Sequence, residues 1–253
     1  MSKTRSRRVT ILFDSWNHMM PALAREMVRR DHDLVLGDAR DEELVKELRE
    51  LGAKVEVVPD TEDQTKPDTI QKLVDRAQEA FGGFDSACAR TGTHVNASVL
   101  TAEDKDLETV YEGNLKSVFY ALKALLPPLV AQKSGQVVIN TSAGAMRPQP
   151  DVALYCATRA GANALIRATG LEVAPHGVTV NGTGTYGMAY PSFLHMVGAD
   201  KDPAKRKAVG DAMPIHRLIE PADAAYFVAT LIDGKSTGQI GQFFPIDGGW
   251  SFM

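Results

Sequence analysis

Short runs rich in β-branched and aliphatic residues alternate along this chain with longer stretches of helical period, and no other feature restricts the fold as much. The short runs are Val9–Phe13, Asp33–Leu36, Lys54–Val58, Phe84–Ala89, Gly135–Ser142, Gly177–Gly182 and Gly241–Gly249. Between them lie Pro21–Arg29, with proline near its start, and an amphipathic Asp68–Phe81. Asn114–Gln132 carries Leu115, Val118, Leu122 and Leu125 on one face, and Tyr155–Ala174 is largely apolar. Pro127 and Pro128 predict a bend or an early end in the third of these helices.

Repeated strand–helix–strand units require a parallel sheet covered on both faces. The expected fold class is therefore α/β: a Rossmann-like, doubly wound parallel sheet in three α/β/α layers. A chain of 253 residues can bury a full core as one such domain, and no repeat or linker divides residues 1–253. Residues 1–8, with Lys3, Arg5, Arg7 and Arg8, read as a flexible tail. The five apolar-leaning residues that follow are too few for a secretory signal, and no run approaches the roughly 18 apolar residues of a membrane span. A net charge of −4 without a basic stripe argues against a nucleic-acid partner. Cys88 and Cys156 lack CxxC spacing, which points to reduced thiols and a cytoplasmic location. The six histidines show no metal-ligand spacing. Residues 190–213 are less regular and should cover the C-terminal ends of the strands, where open α/β sheets bind ligands.

The first strand-to-helix junction lacks what a phosphate-binding loop needs. Glycines there allow a tight turn and let a diphosphate approach the backbone. This chain has Asp14, Ser15, Trp16, Asn17, His18, Met19 and Met20 instead. A carboxylate near a diphosphate costs several kcal/mol in a partly dry site, so the junction disfavours a dinucleotide. Trp16 and the methionines either plug the cleft or line a small pocket. His18 is either a cation aiding an anion or a packed imidazole bonded to backbone.

A second stretch, "NTSAGAMRPQPDVALYCATR", carries the chemistry. Tyr155 and Arg159 share a helix face at i and i+4, and Ser142, ending the fifth strand, can point into the same cleft. A phenol with pKa about 10 is only about 0.1% ionised at pH 7, and a nearby cation lowers that pKa by one to three units. Arginine supplies the charge without carrying the proton, leaving tyrosine as general base and serine as hydrogen-bond donor. The competing reading is a helix-surface pair and a turn serine.

Ser142, the twelve-residue gap to Tyr155, "NGTGTYGM" and "IDGGW" resemble the short-chain dehydrogenase/reductase superfamily over almost the whole chain. Arginine at plus four, where that superfamily has lysine, together with the glycine-free junction, resembles its halohydrin dehalogenases. "FDSACARTG", "TRAGAN" and "PIHRL" resemble the branch accepting bulky and cyclic epoxides. The resemblance implies a carbon–halogen lyase with no cofactor that converts vicinal haloalcohols to epoxides and halide, and opens epoxides with small anions. It assigns Ser142, Tyr155 and Arg159 to catalysis, and His18, Thr185, Tyr186, Gly187, Met188 and Tyr190 to the substrate and halide pocket, with Pro191 and Phe193 as further walls. It also implies a homotetramer built on the two long helices. Trp250 and Phe252 would pack either into a neighbouring subunit or locally, and Asn114 either supports a relay water or satisfies backbone groups. The departures fall on the anion site: Phe13, His18 and Met20 differ from the dehalogenase loop pattern.

Two other functions compete. One is an NAD(P)-dependent short-chain oxidoreductase with a deviant loop, in which Asp38 would hold a ribose and Asp60 would approach an adenine. The other is a non-catalytic binding protein that kept the fold.

Overall fold

The structure, a computed structural model, describes residues 6–253. Seven parallel strands form one sheet: β1 (Arg8–Leu12), β2 (His32–Gly37), β3 (Val55–Val58), β4 (Ser86–Arg90), β5 (Gly135–Asn140), β6 (Val178–Thr185) and β7 (Phe243–Ile246). Their spatial order is β3-β2-β1-β4-β5-β6-β7. The chain winds outward from β1 in one direction and from β4 in the other, so the crevice opens at their C-terminal ends. This is the doubly wound α/β architecture expected from the alternating pattern.

Each face of the sheet has its own apolar layer. On one lie α1 (Met20–Arg29), α2 (Glu42–Glu50) and α9 (Pro221–Ile232), burying Leu23, Met27, Leu44, Leu48 and Val228. On the other lie α3 (Thr69–Phe81), α5 (Ser117–Gln132) and α6 (Ala153–Val173), with Leu73, Leu125, Leu129 and Ile166. β2 and β5 are buried along their whole length, as central parallel strands must be. Asp41 caps α2 by accepting from the Leu44 amide.

Several boundaries differ from the expected ones. The third expected helix does not end early: α5 runs through Pro127 and Pro128 to Gln132. Its expected start at Asn114 is instead a π-helical turn, Glu112–Lys116, that follows α4 (Asp104–Tyr111). Residues 190–213 contain α7 (Pro191–Met196) and α8 (Pro203–Asp211). Of the expected tail, residues 1–5 lie outside the described part. Arg8 already belongs to β1, and Arg7 donates to the carbonyls of Val28 and His32. No helix among the described residues is long and apolar enough to cross a membrane.

Candidate active site

At the C-terminal edge of β4, β5 and β6 lies a cavity of about 290 Å³. Ser142, Tyr155 and Arg159 line it, together with His18, Thr185, Tyr186, Gly187, Met188 and Tyr190. All nine residues singled out in the sequence thus meet at one place. Phe193 joins them, and Pro191 does not.

Ser142 follows β5 in extended conformation and starts a short 3-10 turn, its Oγ accepting from the Gly144 amide at 3.1 Å. That bond uses a lone pair and leaves the hydroxyl hydrogen free to donate. Gly184 of β6 passes so close that a Cβ there would fall 2.6 Å from the Ser142 carbonyl carbon. Tyr155 lies in the first turn of α6, its ring edge near Gly144. Arg159, one turn later, holds its guanidinium 5.1 Å from the Tyr155 ring centroid.

The seat of Arg159 is built by residues that sequence reasoning missed. Only 4% exposed, Arg159 donates from Nη2 to the Thr91 carbonyl at 2.7 Å and from Nη1 to the Thr91 hydroxyl at 3.2 Å. Gly92 makes the space. Its φ is +137°, and a Cβ would lie 1.5 Å from Arg159 Nη2, so only glycine fits. Asn114, fully buried in the π-turn, accepts from the Thr93 amide and donates to the Thr158 hydroxyl. It ties the loop after β4 to α6 and satisfies a backbone amide.

The first loop keeps a glycine-like path with other side chains. Asp14 and His18 have positive φ, 56° and 58°. The amides of Ser15, Asn17, His18 and Met20 are bonded to Gly37 O, Asp14 O, Asn17 Oδ1 and Asn17 O, and Pro21 contributes no N–H. Arg90 Nη1 donates to the Asp14 carboxylate at 2.6 Å, while burial raises the Asp14 pKa. His18 shares a hydrogen bond with the Thr185 hydroxyl at 3.0 Å and meets the Tyr190 ring edge-on. Burial, with Arg90 and Arg159 nearby, holds its pKa well below the usual histidine value. It is a packed neutral imidazole, bonded to a side chain rather than to backbone, and not a cation. Met19 and Met20 are core residues, and Trp16 turns outward beneath Arg40.

Across the cavity, Tyr186 stacks on Trp250 with centroids 3.9 Å apart. Arg147 covers the other ring contact of Trp250 and donates to its carbonyl. Trp250 therefore packs locally, while Phe252 is exposed. Asp38 accepts from the amide and hydroxyl of Thr61, and Lys72 donates to the Asp60 carbonyl. Both free thiols, Cys88 and Cys156, are buried.

A family model described as "Enoyl-(Acyl carrier protein) reductase" matches residues 21–251, and the chain belongs to that reductase family. It is 29% identical over 188 residues to the 4-formylbenzenesulfonate dehydrogenase of Comamonas testosteroni, covering 74% of this chain and 75% of that one. It is 28% identical over 235 residues to oxidoreductase UcpA of Escherichia coli K12, covering 90% and 88%. Its backbone matches an actinorhodin polyketide ketoreductase solved with NADPH, with a TM-score of 0.88, full coverage of both chains and 22% identity. That last likeness shows the fold alone.

These relatives correct the expectation of a cofactor-independent carbon–halogen lyase, a halohydrin dehalogenase acting on haloalcohols, epoxides and small anions. The family is a reductase family, and the relatives are named as dehydrogenase and oxidoreductase. The physical reason is that a tyrosine poised at a substrate oxygen serves both chemistries equally, because each needs one proton moved at that oxygen. Serine, tyrosine and arginine do not reveal whether carbon then loses a halide or exchanges a hydride.

The family implies a nicotinamide dinucleotide, and the two ends of the crevice answer differently. At one end Ser142, Tyr155 and Arg159 are brought together around the cavity. The diphosphate end does not fit the group in this conformation: four loop amides are spent internally, Asp14 and Arg90 close on each other, and His18 bridges to β6.

Proposed function

We propose that this chain is a short-chain oxidoreductase interconverting an alcohol and a carbonyl compound, with Tyr155 exchanging the proton at the substrate oxygen. The observation that carries this reading is the convergence of Ser142, Tyr155 and Arg159 on one cavity in a chain of a reductase family. Hydride chemistry would come from a nicotinamide dinucleotide, whose diphosphate the first loop could admit only if the Asp14–Arg90 pair opened. The Ser142 hydroxyl, its lone pair held by Gly144, donates to the substrate oxygen. Tyr155 gives that oxygen its proton in reduction and takes it back in oxidation. Arg159 faces the ring and offers its charge to the phenolate oxygen left behind. Tyr186, Phe193 and Trp250 exclude water from the far wall.

The test is consumption of NADH and NADPH with a panel of aldehydes, ketones and acyl thioesters, with wild type and Tyr155→Phe side by side. Turnover that falls about 10³-fold in the variant, at unchanged folding, supports the reading. Equal turnover in both proteins, or none with any carbonyl, overturns it.

Two coarser features belong to the proposal. The chain works in the cytoplasm with both thiols reduced. It also assembles as a homotetramer through α5 and α6, where Phe119, Leu122, Leu126, Val130 and Leu165 line an open apolar groove. Light scattering at the monomer mass would exclude the assembly.

A further inference from the structure

A tyrosine that trades protons with substrate must itself trade them with water, and the groups around Tyr155 differ in whether they can help. Arg159 cannot: guanidinium does not release its proton, and both terminal nitrogens donate to Thr91. The Asn114 carboxamide is committed to Thr93 and Thr158. His18 lines the cavity too, but it is only 6% exposed and held by Thr185 and Tyr190, and Arg90 is closed on Asp14. Tyr186 lies beneath Trp250, with burial raising its pKa.

His94 is placed differently. It lines the same cavity, its ring centroid is 4.9 Å from that of Tyr155, and the residue is exposed. The backbone that carries it is pinned on two sides: Arg159 holds the Thr91 carbonyl and Asn114 holds the Thr93 amide. We infer that His94 is the proton exit of this site, a relay that acts through Tyr155 and does not touch the reacting carbon. The inference rests on Tyr155 being the proton-exchanging group.

The step moves protons only. In alcohol oxidation the substrate proton passes to Tyr155. The Tyr155 O–H bond then breaks as an N–H bond forms on His94, directly or across one water, and the imidazolium releases its proton to solvent. Reduction runs the sequence backwards. Partial burial and the charge of Arg159 lower the His94 pKa, which favours the neutral imidazole and its proton-accepting lone pair. The charged and titratable groups facing the cavity with it are Tyr155, Cys156 and Arg159 from α6, Arg90 from β4, His18 from the first loop, and Tyr186 and Tyr190 after β6.

The experiment compares His94→Gln with wild type and Tyr155→Phe on whichever carbonyl substrate of the panel turns over. His94→Gln is expected to lower kcat roughly 10- to 100-fold with KM unchanged, to lose the acid limb of the pH profile, and to recover with added imidazole. A His94→Gln enzyme with wild-type kcat and pH profile, or one that imidazole does not restore, overturns the inference. If Tyr155→Phe also matches wild type, the tyrosine reading has failed instead. An arm without turnover follows the His94 ring by NMR of ¹⁵N-histidine-labelled protein. A second, alkaline inflection that vanishes in Tyr155→Phe supports the relay. A single inflection in both proteins overturns it.

Discussion

The two loops that face each other across the crevice have been treated in opposite ways. Between β5 and α6 the side chains point into the cavity and keep a hydrogen-bonding hand free, as Ser142 does. Between β1 and α1 the backbone keeps the positive φ of a glycine turn at Asp14 and His18, yet its amides bond inward and its carboxylate meets an arginine. The same fold therefore gathers Ser142, Tyr155 and Arg159 around a cavity at one end while the other end satisfies itself. A backbone path can outlast the contacts it once suited, because the turn is dictated by the sheet and the contacts by the side chains.

That contrast can be broken from the loop side first. Arg90→Met leaves the Asp14 carboxylate buried without its partner and should cost about 3–5 kcal/mol, read as a lower urea midpoint. Adding Asp14→Asn should return most of the loss. A single variant as stable as wild type would show that the pair is not what closes the loop.

The opposite edge of the sheet supplies a reference for acid sensitivity. His32, buried and sharing a 2.6 Å hydrogen bond with the Thr10 hydroxyl, has its pKa lowered by burial to about 4. A folded value below the unfolded one means stability is fully present above about pH 6.5 and is lost as pH falls towards 4. The loss reaches about 3 kcal/mol from this group. His18 acts in the same direction. Unfolding midpoints should fall between pH 6.5 and 4 in wild type and fall less in His32→Asn; equal slopes would remove this account.

The catalytic end is the next to be tested. Gly92→Ala puts a methyl where the Arg159 guanidinium lies, so turnover should drop about 100-fold, or roughly 2.7 kcal/mol in barrier, with the overall fold retained. Unchanged kcat would mean that the seat of Arg159 is not needed. The smallest effect belongs to His18→Ala. It removes one hydrogen bond, about 1 kcal/mol of stability, and frees the gap to Thr185, so NADPH should bind several-fold tighter by fluorescence titration. Weaker binding would instead make His18 part of the nucleotide site.

How much of this could be read from the residues alone depended on period and spacing. The strands were legible because parallel central strands are continuous apolar runs, as in "GQVVIN". Five helices are not among the expected elements: α2, α4, α7, α8 and α9. The first four are short, with α2, α4 and α8 highly charged, and α9 is so apolar that its period is hidden. Ser142, Tyr155 and Arg159 stood out because one strand end and one helix turn bring them together at fixed spacing. Arg90, Thr91, Gly92 and His94 did not, because each matters only through a partner dozens of residues away. The reaction class was illegible for a different reason: a proton-handling trio is silent about what happens at carbon.

The Tyr186–Trp250 stack ties the cavity to the rim of the sheet. Trp250 follows β7, a four-residue strand paired only with β6, and outermost strands are the first to fray. Warming or mild denaturant that loosens this last strand should therefore admit larger guests before the molecule melts, making substrate breadth a thermometer of the sheet's margin.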